Sequence, residues 1–196
     1  MAGDARYVDV NGDGAITDED MIYDNKPRSA IMQWGIPFSL QWKAWSLEGL
    51  LQGSGRQYGI LHNNIKGTGW NKIYYKDQLD IYYPGNENAR YPRADNDYGV
   101  WNGEYNRAAS ALWRVNKTYA RLKNLSITYN FKYKLLKHVN WLSAASVSLT
   151  GTNLFTICPS LKYGDPETGP INDTATVQTA AYPTTRTFSV MVNLGF

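Results

Sequence analysis

The sequence of 196 residues holds one cysteine, Cys158, and only two histidines, His62 and His138. A single thiol excludes an internal disulfide framework and any cysteine-rich metal site, and it leaves the redox compartment open. Charge of one sign is also scarce: 20 Lys and Arg stand against 17 Asp and Glu, a formal net charge of +3. That balance offers no basic stripe of the kind that grips nucleic acid. No apolar run approaches the length of a membrane-crossing helix, and Met1 is not followed by a basic stretch and an apolar signal core. Catalytic patterns are missing as well. There is no serine elbow, no cysteine–histidine pairing and no phosphate-cradling glycine loop. Asp80, Glu87 and Glu104 do not pair by spacing into a glycosidase acid and base. The chain is not expected to be an enzyme.

Helical periodicity is weak and period-two alternation is strong. Gly35–Lys43 sets Ile36, Phe38, Leu40 and Trp42 against Ser39 and Gln41, and Trp45–Gly53 sets Trp45, Leu47, Gly49 and Leu51 against Ser46, Glu48 and Gln52. The tight connection at Lys43–Ala44 makes these two a hairpin. In Tyr119–Phe131, Leu125, Ile127, Tyr129 and Phe131 oppose Asn124, Ser126, Thr128 and Asn130. In Ala144–Phe155, Ala145, Val147 and Leu149 oppose Ser146, Ser148, Thr150 and Thr152. In the closing Thr185–Phe196, Phe188, Val190, Val192, Leu194 and Phe196 alternate with Thr187, Ser189, Met191, Asn193 and Gly195. Five predicted strands thus share one apolar face and one face of small, mostly uncharged polar residues.

The polar face separates two architectures. The outer face of a soluble β-sandwich usually carries Lys, Glu, Asp and Arg, because it meets bulk water. A face of Ser, Thr, Asn and Gln suits a water-filled barrel lumen, with the apolar face against lipid. Hydropathy does not detect such strands, since about ten alternating residues are enough to span. Tyr and Trp, 15 and 7 against 5 Phe, are rings with a polar tip that suit a boundary between wet and dry. Trp42 and Trp45, at a tight turn, fit the interfacial aromatic girdle. The connections alternate in length: Trp42–Trp45 and Lys132–Asn140 are short, and 54–113 and 156–185 are long. With Phe196 on the periplasmic side, the short ones count as periplasmic and the long ones as extracellular. The expected fold is therefore all-β: antiparallel strands of a transmembrane β-barrel, about five of a larger set, with long extracellular loops. Lipid tolerates no open sheet edge, so more strands are required, and the chain is expected to be the C-terminal segment of a longer protein. Residues 1–29 are expected as an extracellular loop and 30–196 as barrel strands and loops.

One motif suggests metal chemistry. From Asp9 to Asp20 the chain matches a calcium loop, with Asp9, Asn11 and Asp13 at alternate positions and glycine at Gly14. Calcium takes about six to eight oxygens, and this spacing wraps them around one centre. Asp9, Asn11, Asp13 and Asp20 would offer side chains, Ala15 its carbonyl, and Thr17 the remaining place directly or through water. An Asx-rich turn without metal is the competing reading. No helices flank the loop, so an EF-hand is not expected. The first long loop also carries Trp70, Tyr74, Tyr75, Tyr82, Tyr83, Trp101 and Tyr105, a surface for stacking on sugar rings or for seating a lid protein. Arg121 and Lys123, at the outer end of a strand, would meet lipid head groups or loop carboxylates. Arg90 and Arg93 form no defined anion site.

Eight stretches in order carry a resemblance: GDARYVDVNGDGAITDED near the start, GLLQGSG, ARYPR at Ala89–Arg93, YARLKNLSITYNF, GTNLFT at Gly151–Thr156, YGDPETG at Tyr163–Gly169, YPTTRTF at Tyr182–Phe188, and VNLGF. Together they resemble the C-terminal part of a SusC/RagA-type TonB-dependent outer-membrane transporter. The resemblance implies a plugged barrel of about 22 strands in the outer membrane of a Gram-negative bacterium. It implies import of glycans or peptides delivered by a SusD-like surface lipoprotein, and energy from the TonB complex through an N-terminal part this sequence does not contain. It further implies that Phe188, Val190, Val192, Leu194 and Phe196 form the signal read by the barrel-assembly machinery, by strand addition. The reading from a different class is a soluble, calcium-stabilised β-sandwich that binds carbohydrate at the cell surface. The two differ in whether Leu125, Ile127, Tyr129 and Phe131 meet lipid or a second sheet.

Overall fold

A computed structural model describes residues 2–61, 79–93, 110–131, 136, 138–162, 164–167, 176–177 and 184–196. The chain forms two compact units, one of Ser29–Gln57, Asn116–Glu167 and Ala181–Phe196, the other of Met1–Arg28, Tyr58–Val115 and Thr168–Ala180.

The first of these is an antiparallel sheet in the order β1-β2-β5-β6-β8. Its strands are β1 (Gln33–Trp42), β2 (Trp45–Ser54), β5 (Tyr119–Asn130), β6 (Ala144–Ile157) and β8 (Thr187–Gly195). All five predicted strands are present, each within two or three residues of its expected ends. The β1–β2 hairpin closes at Lys43, whose φ of 54° is the left-handed conformation that a two-residue hairpin turn demands. Alternation fixes the register, because a one-residue slip would send every apolar side chain to the wrong face. Leu40, Leu47, Ile127, Leu149 and Val190 consequently align in one row across all five strands. Trp42, Trp45, Tyr129, Val147 and Val192 make the next row. On the opposite face, Ser39, Glu48, Ser126, Thr150 and Ser189 align, as do Gln41, Ser46, Thr128, Ser148 and Met191. Hydroxyls bridge the polar rows, Thr128 to Ser148 at 2.7 Å and Ser126 to Thr150 at 3.2 Å.

A bulge interrupts the alternation near one end. Lys123 has no partner between Leu122 and Asn124, and Asn153 and Leu154 are passed over on β6. Asn153 takes φ 51°, a conformation asparagine tolerates better than most residues. The offset lets Arg121 and Lys123 both serve the polar face.

Apart from Gly151 in the middle of β6, the buried residues of this unit lie towards the ends of the sheet. Ala44, Leu142 and Ala145 gather beside the short turns, and Ser54, Lys117, Arg121, Leu122, Leu161 and Asp165 gather beside the long connections. The apolar face between them is open: Ile36, Leu40, Ile127, Leu149, Val190 and Val192 are 38% to 70% exposed. In a sandwich a second sheet would cover that face. Here it is uncovered among the described residues, and the sheet is a segment of an antiparallel barrel wall.

The other unit carries a small sheet, β4-β3-β7, of β3 (Tyr58–Leu61), β4 (Arg114–Asn116) and β7 (Thr176–Val177), with β3 and β7 parallel. β3 and β7 fall in stretches expected to be long loop and β4 just beyond the first of them, because two to four residues show too little alternation to read. Trp113, 1% exposed, stacks on Tyr91 at 5.4 Å between ring centres. Arg93 pairs with Asp4 at 2.6 Å, and the Arg93 amide donates to the Gly3 carbonyl at 2.8 Å.

Candidate functional site

The sheet has two chemically distinct ends. At the end with the short turns, aromatic rings collect. Trp45 meets Tyr129 edge-on at 4.7 Å, Tyr129 meets Phe131 at 5.0 Å, and Trp141 stacks on Phe196 at 5.8 Å. Lys43 sits 4.6 Å over the Trp42 ring. Such rings, with exposed polar tips and a cation, suit the level of lipid head groups. The alternation of β8 places Phe188, Val190, Val192 and Leu194 on the apolar face, and Phe196 ends against Trp141.

The other end, where the chain leaves for both long connections, carries charge. Arg121 donates to Asp165 at 2.7 Å and to the Thr156 hydroxyl at 2.7 Å, and its second terminal nitrogen lies 2.9 Å from Glu167. Lys123 reaches Glu167 at 3.0 Å. Gln52 and Tyr119 also donate to Glu167. Of the two alternatives for Arg121 and Lys123, loop carboxylates are what the structure supplies. Burial pushes the Asp165 carboxyl up, but hydrogen bonds from Thr184, the Glu167 amide and Arg121 outweigh it and hold it below the usual value. Burial lowers the Lys117 ammonium and raises the Cys158 thiol beside it. The cations of this cluster thus face carboxylates in a water-poor site. Breaking one such pair costs far more than leaving it intact.

Next to the cluster lies a cavity of about 530 Å³ lined by Gln33, Leu50, Gln52, Ser54, Gln57 and Tyr119, and closed by Pro166 and Glu167. Gln33, Ser54 and Tyr119 are neighbours in register across three strands.

In the Asp9–Asp20 loop the carboxylates bind backbone. Gly12 and Gly14 amides donate to Asp9 at 2.6 and 2.8 Å, and the Ala15 amide donates to Asp13 at 2.7 Å. Asp20 folds back to accept from Val10 at 2.7 Å and from Thr17 at 2.8 Å. These bonds, that from Thr17 foremost, hold the Asp20 carboxyl below its usual value. Thr17 and Asp20 also form a capping box on the 3-10 turn Asp18–Asp20. The Asn11 side-chain amide donates to Asp13 at 3.1 Å and to Glu19 at 3.4 Å. A donor therefore stands among the oxygens that calcium would need. The oxygen-bearing residues are the right ones for a hard cation, but among the described residues no group of three or more His, Cys, Asp or Glu converges on a metal position.

Of the candidate loop aromatics, Tyr82 lies against Gly3 and Tyr83 is exposed. Trp70, Tyr74, Tyr75, Trp101 and Tyr105 lie outside the described residues. Sequence reasoning missed Asp165, Glu167, Ser54 and Trp141. The first two stand in the YGDPETG stretch, where two acids beside a proline were the only available signal.

A wall with one lipid-compatible face, one hydroxyl- and amide-bearing face and an aromatic end defines the class: a segment of a transmembrane β-barrel. No protein-family model matches the chain. The TonB-dependent receptor P26 of Formosa agariphila is 26% identical over 204 residues, taking in 100% of this chain and 20% of the receptor. Among solved structures, the RagAB peptide importer in its open-open state matches with a TM-score of 0.70 at 20% identity, over 93% of this chain and 19% of that one. The closed-closed state gives a TM-score of 0.64 at 21% identity, over 96% and 20%. The chain thus spans about a fifth of the length of the relatives it matches. It is similar in sequence to a TonB-dependent receptor and has the fold of part of a RagAB importer chain.

Proposed function

We propose that this chain is a barrel segment of a TonB-dependent outer-membrane importer of nutrients, with glycans as the first substrate class and peptides as the second. The observation that carries the reading is the pair of opposed faces. Among the described residues, apolar rows run uncovered across five strands, and rows mainly of Ser, Thr, Asn and Gln, with Glu48 and Met191 among them, run behind. Only a lipid boundary on one side and a wet lumen on the other satisfy both at once. The similarity to the Formosa receptor supports energy from TonB, and the likeness to the RagAB importer supports a SusD-like lipoprotein seated on the long connections. Peptide transport stays as the second reading because the structural relatives carry that description.

In this reading the polar face lines the passage, the Arg121 cluster anchors the second long loop, and β8 with its terminal ring is the strand recognised during barrel assembly. The Asp9–Asp20 loop, with Asp9, Asn11, Asp13, Ala15, Thr17 and Asp20, is proposed to take calcium outside the cell, the Asn11 amide turning its oxygen inward.

The test is fractionation of the full-length protein. Outer membranes are isolated and washed with carbonate, and the extract is run with and without heating. A carbonate-resistant, heat-modifiable, β-rich species is expected. A monomer that melts cooperatively in plain buffer would overturn the barrel.

A further inference from the structure

We infer that Asn153, Asp165 and Thr184 form a clasp that returns β8 to β6 across the second long connection and so holds the last strand in register for barrel assembly, a role that rests on the proposed part of β8 in that assembly. β8 stands at the end of the sheet order and, among the described residues, pairs only with β6. The β1–β2 pair returns through a tight turn at Lys43–Ala44, whereas residues 158–186 separate β6 from β8. The chance that the ends of a flexible loop meet falls with about the three-halves power of its length. A connection of about thirty residues therefore closes roughly twentyfold less often than one of about four. A tight turn sets the register of its own strands. A connection this long does not.

Side chains supply the closure instead. Register pairing of the two strands ends at Thr152 and Thr187. Just outside it, the Asn153 side-chain amide donates to the Thr185 carbonyl at 3.1 Å. A second link runs through Asp165, which accepts from Thr184 and, at 2.7 Å, from Arg121. Arg121 in turn donates to the Thr156 hydroxyl at 2.7 Å. The relay Thr156–Arg121–Asp165–Thr184 thus joins the outer end of β6 to the approach of β8. Arg121 needs no loop to find its place, since it stands opposite Thr156 in the β5–β6 register. With side chains 2% and 9% exposed, Arg121 and Asp165 make their bonds where water competes little. Both links therefore lie where a turn would otherwise do the work.

The test expresses the full-length protein and measures its heat-modifiable share in carbonate-washed membranes. Asn153→Gly with Thr184→Val cuts both links to the β8 side and keeps the Arg121–Asp165 pair, and glycine tolerates the φ of 51° at position 153. The share is expected to fall about threefold to tenfold. Ser126→Ala with Thr150→Val removes a hydroxyl bridge inside the register and is expected to keep the share within about twofold. Replacing residues 169–182 by a short Gly-Ser link returns Thr184 by connectivity alone. In that background the clasp variant is expected to assemble as well as its own parent. Amide exchange at Thr187–Ser189 of the assembled protein is expected to quicken about tenfold in the clasp variant, with β1 and β2 unchanged. Thr184→Val alone, the milder cut, serves where the pair assembles too poorly for exchange. A share unmoved by the clasp variant, a control that loses as much, equal sensitivity after shortening, or unchanged exchange at Thr187–Ser189 each overturns the clasp. If the shortened parent does not assemble, the exchange comparison decides. A wild-type protein that is neither carbonate-resistant nor heat-modifiable overturns the barrel instead, and exchange in that protein still decides the clasp.

Discussion

Arg121 and Asp165 form an ion pair of 2.7 Å across 44 residues of chain, with side chains only 2% and 9% exposed. It ties the segment after β6 to the polar face of β5. Lys123 and Glu167, partly exposed and 3.0 Å apart, stand beside it.

Removing Asp165 leaves the buried Arg121 with only the partly exposed Glu167 as counterion, so the expected loss is about 2–3 kcal/mol, below the roughly 3–5 kcal/mol of a fully stranded buried charge. Asp165→Ala in the full-length protein is expected to lower its denaturation midpoint accordingly. Lys123→Ala removes only an exposed contact, worth about 0–1 kcal/mol. Equal losses from the two substitutions in urea titrations would show that Asp165 is not an anchor.

Acid should act on the same contact. Asp165 has its pKa lowered in the fold, so its contribution is fully present above the unfolded value of about 3.9. It is lost only as pH falls through the lower, folded value. The exposed Asp20 follows the same sign. Proteolytic cleavage after Lys162 is expected to stay slow at neutral pH and to rise only once the pH drops below about 4. Release already at about pH 5 to 6 would assign the anchor to another group.

Two glycines of adjacent strands make an internal comparison. A Cβ on Gly53 would overlap both the Tyr119 carbonyl and the Trp34 ring, whereas one on Gly35 would meet only Leu50 at 3.7 Å. Gly53→Ala is expected to destabilise by about 1–3 kcal/mol through overpacking, and Gly35→Ala to be close to neutral. Thermal melts of the two variants check the order.

The terminal ring has a partner in Trp141, stacked at 5.8 Å and 12° between planes. A pair of this kind is worth about 0.5–1.5 kcal/mol. Phe196→Ala is expected to reduce the barrel recovered in outer membranes several-fold, and Trp141→Ala to reduce its stability without matching that loss. If both variants reach the membrane at the native level, the ring is not part of an assembly signal.

Calcium is tested on the Asp9–Asp20 loop directly. Millimolar calcium is expected to protect the peptide bonds of this loop from protease, and Asp9→Asn with Asp13→Asn to abolish the protection. Identical cleavage patterns in calcium and in chelator would leave the loop closed by its own backbone amides alone.

The wall of the barrel was legible because its signal is local. In Leu125, Ile127 and Tyr129 against Ser126 and Thr128, each residue declares its face, and one slip would expose the wrong set. The hairpin at Lys43 and even the bulge left a trace, in the consecutive polar pair Lys123–Asn124. The Asp9–Asp20 loop was legible as a turn for the same reason, since its hydrogen bonds span at most ten residues. The small sheet of β3, β4 and β7 was not, because its strands are too short to show a period.

The sequence by itself determined which residues alternate, and therefore that one face is apolar and the other polar. Tertiary structure alone decided that the apolar face is uncovered among the described residues, and that Asp165 and Glu167 are the partners of Arg121. Strand faces follow from steric repeats of two residues. Ion pairs and cavities depend on where a long connection returns, and no local pattern encodes that path.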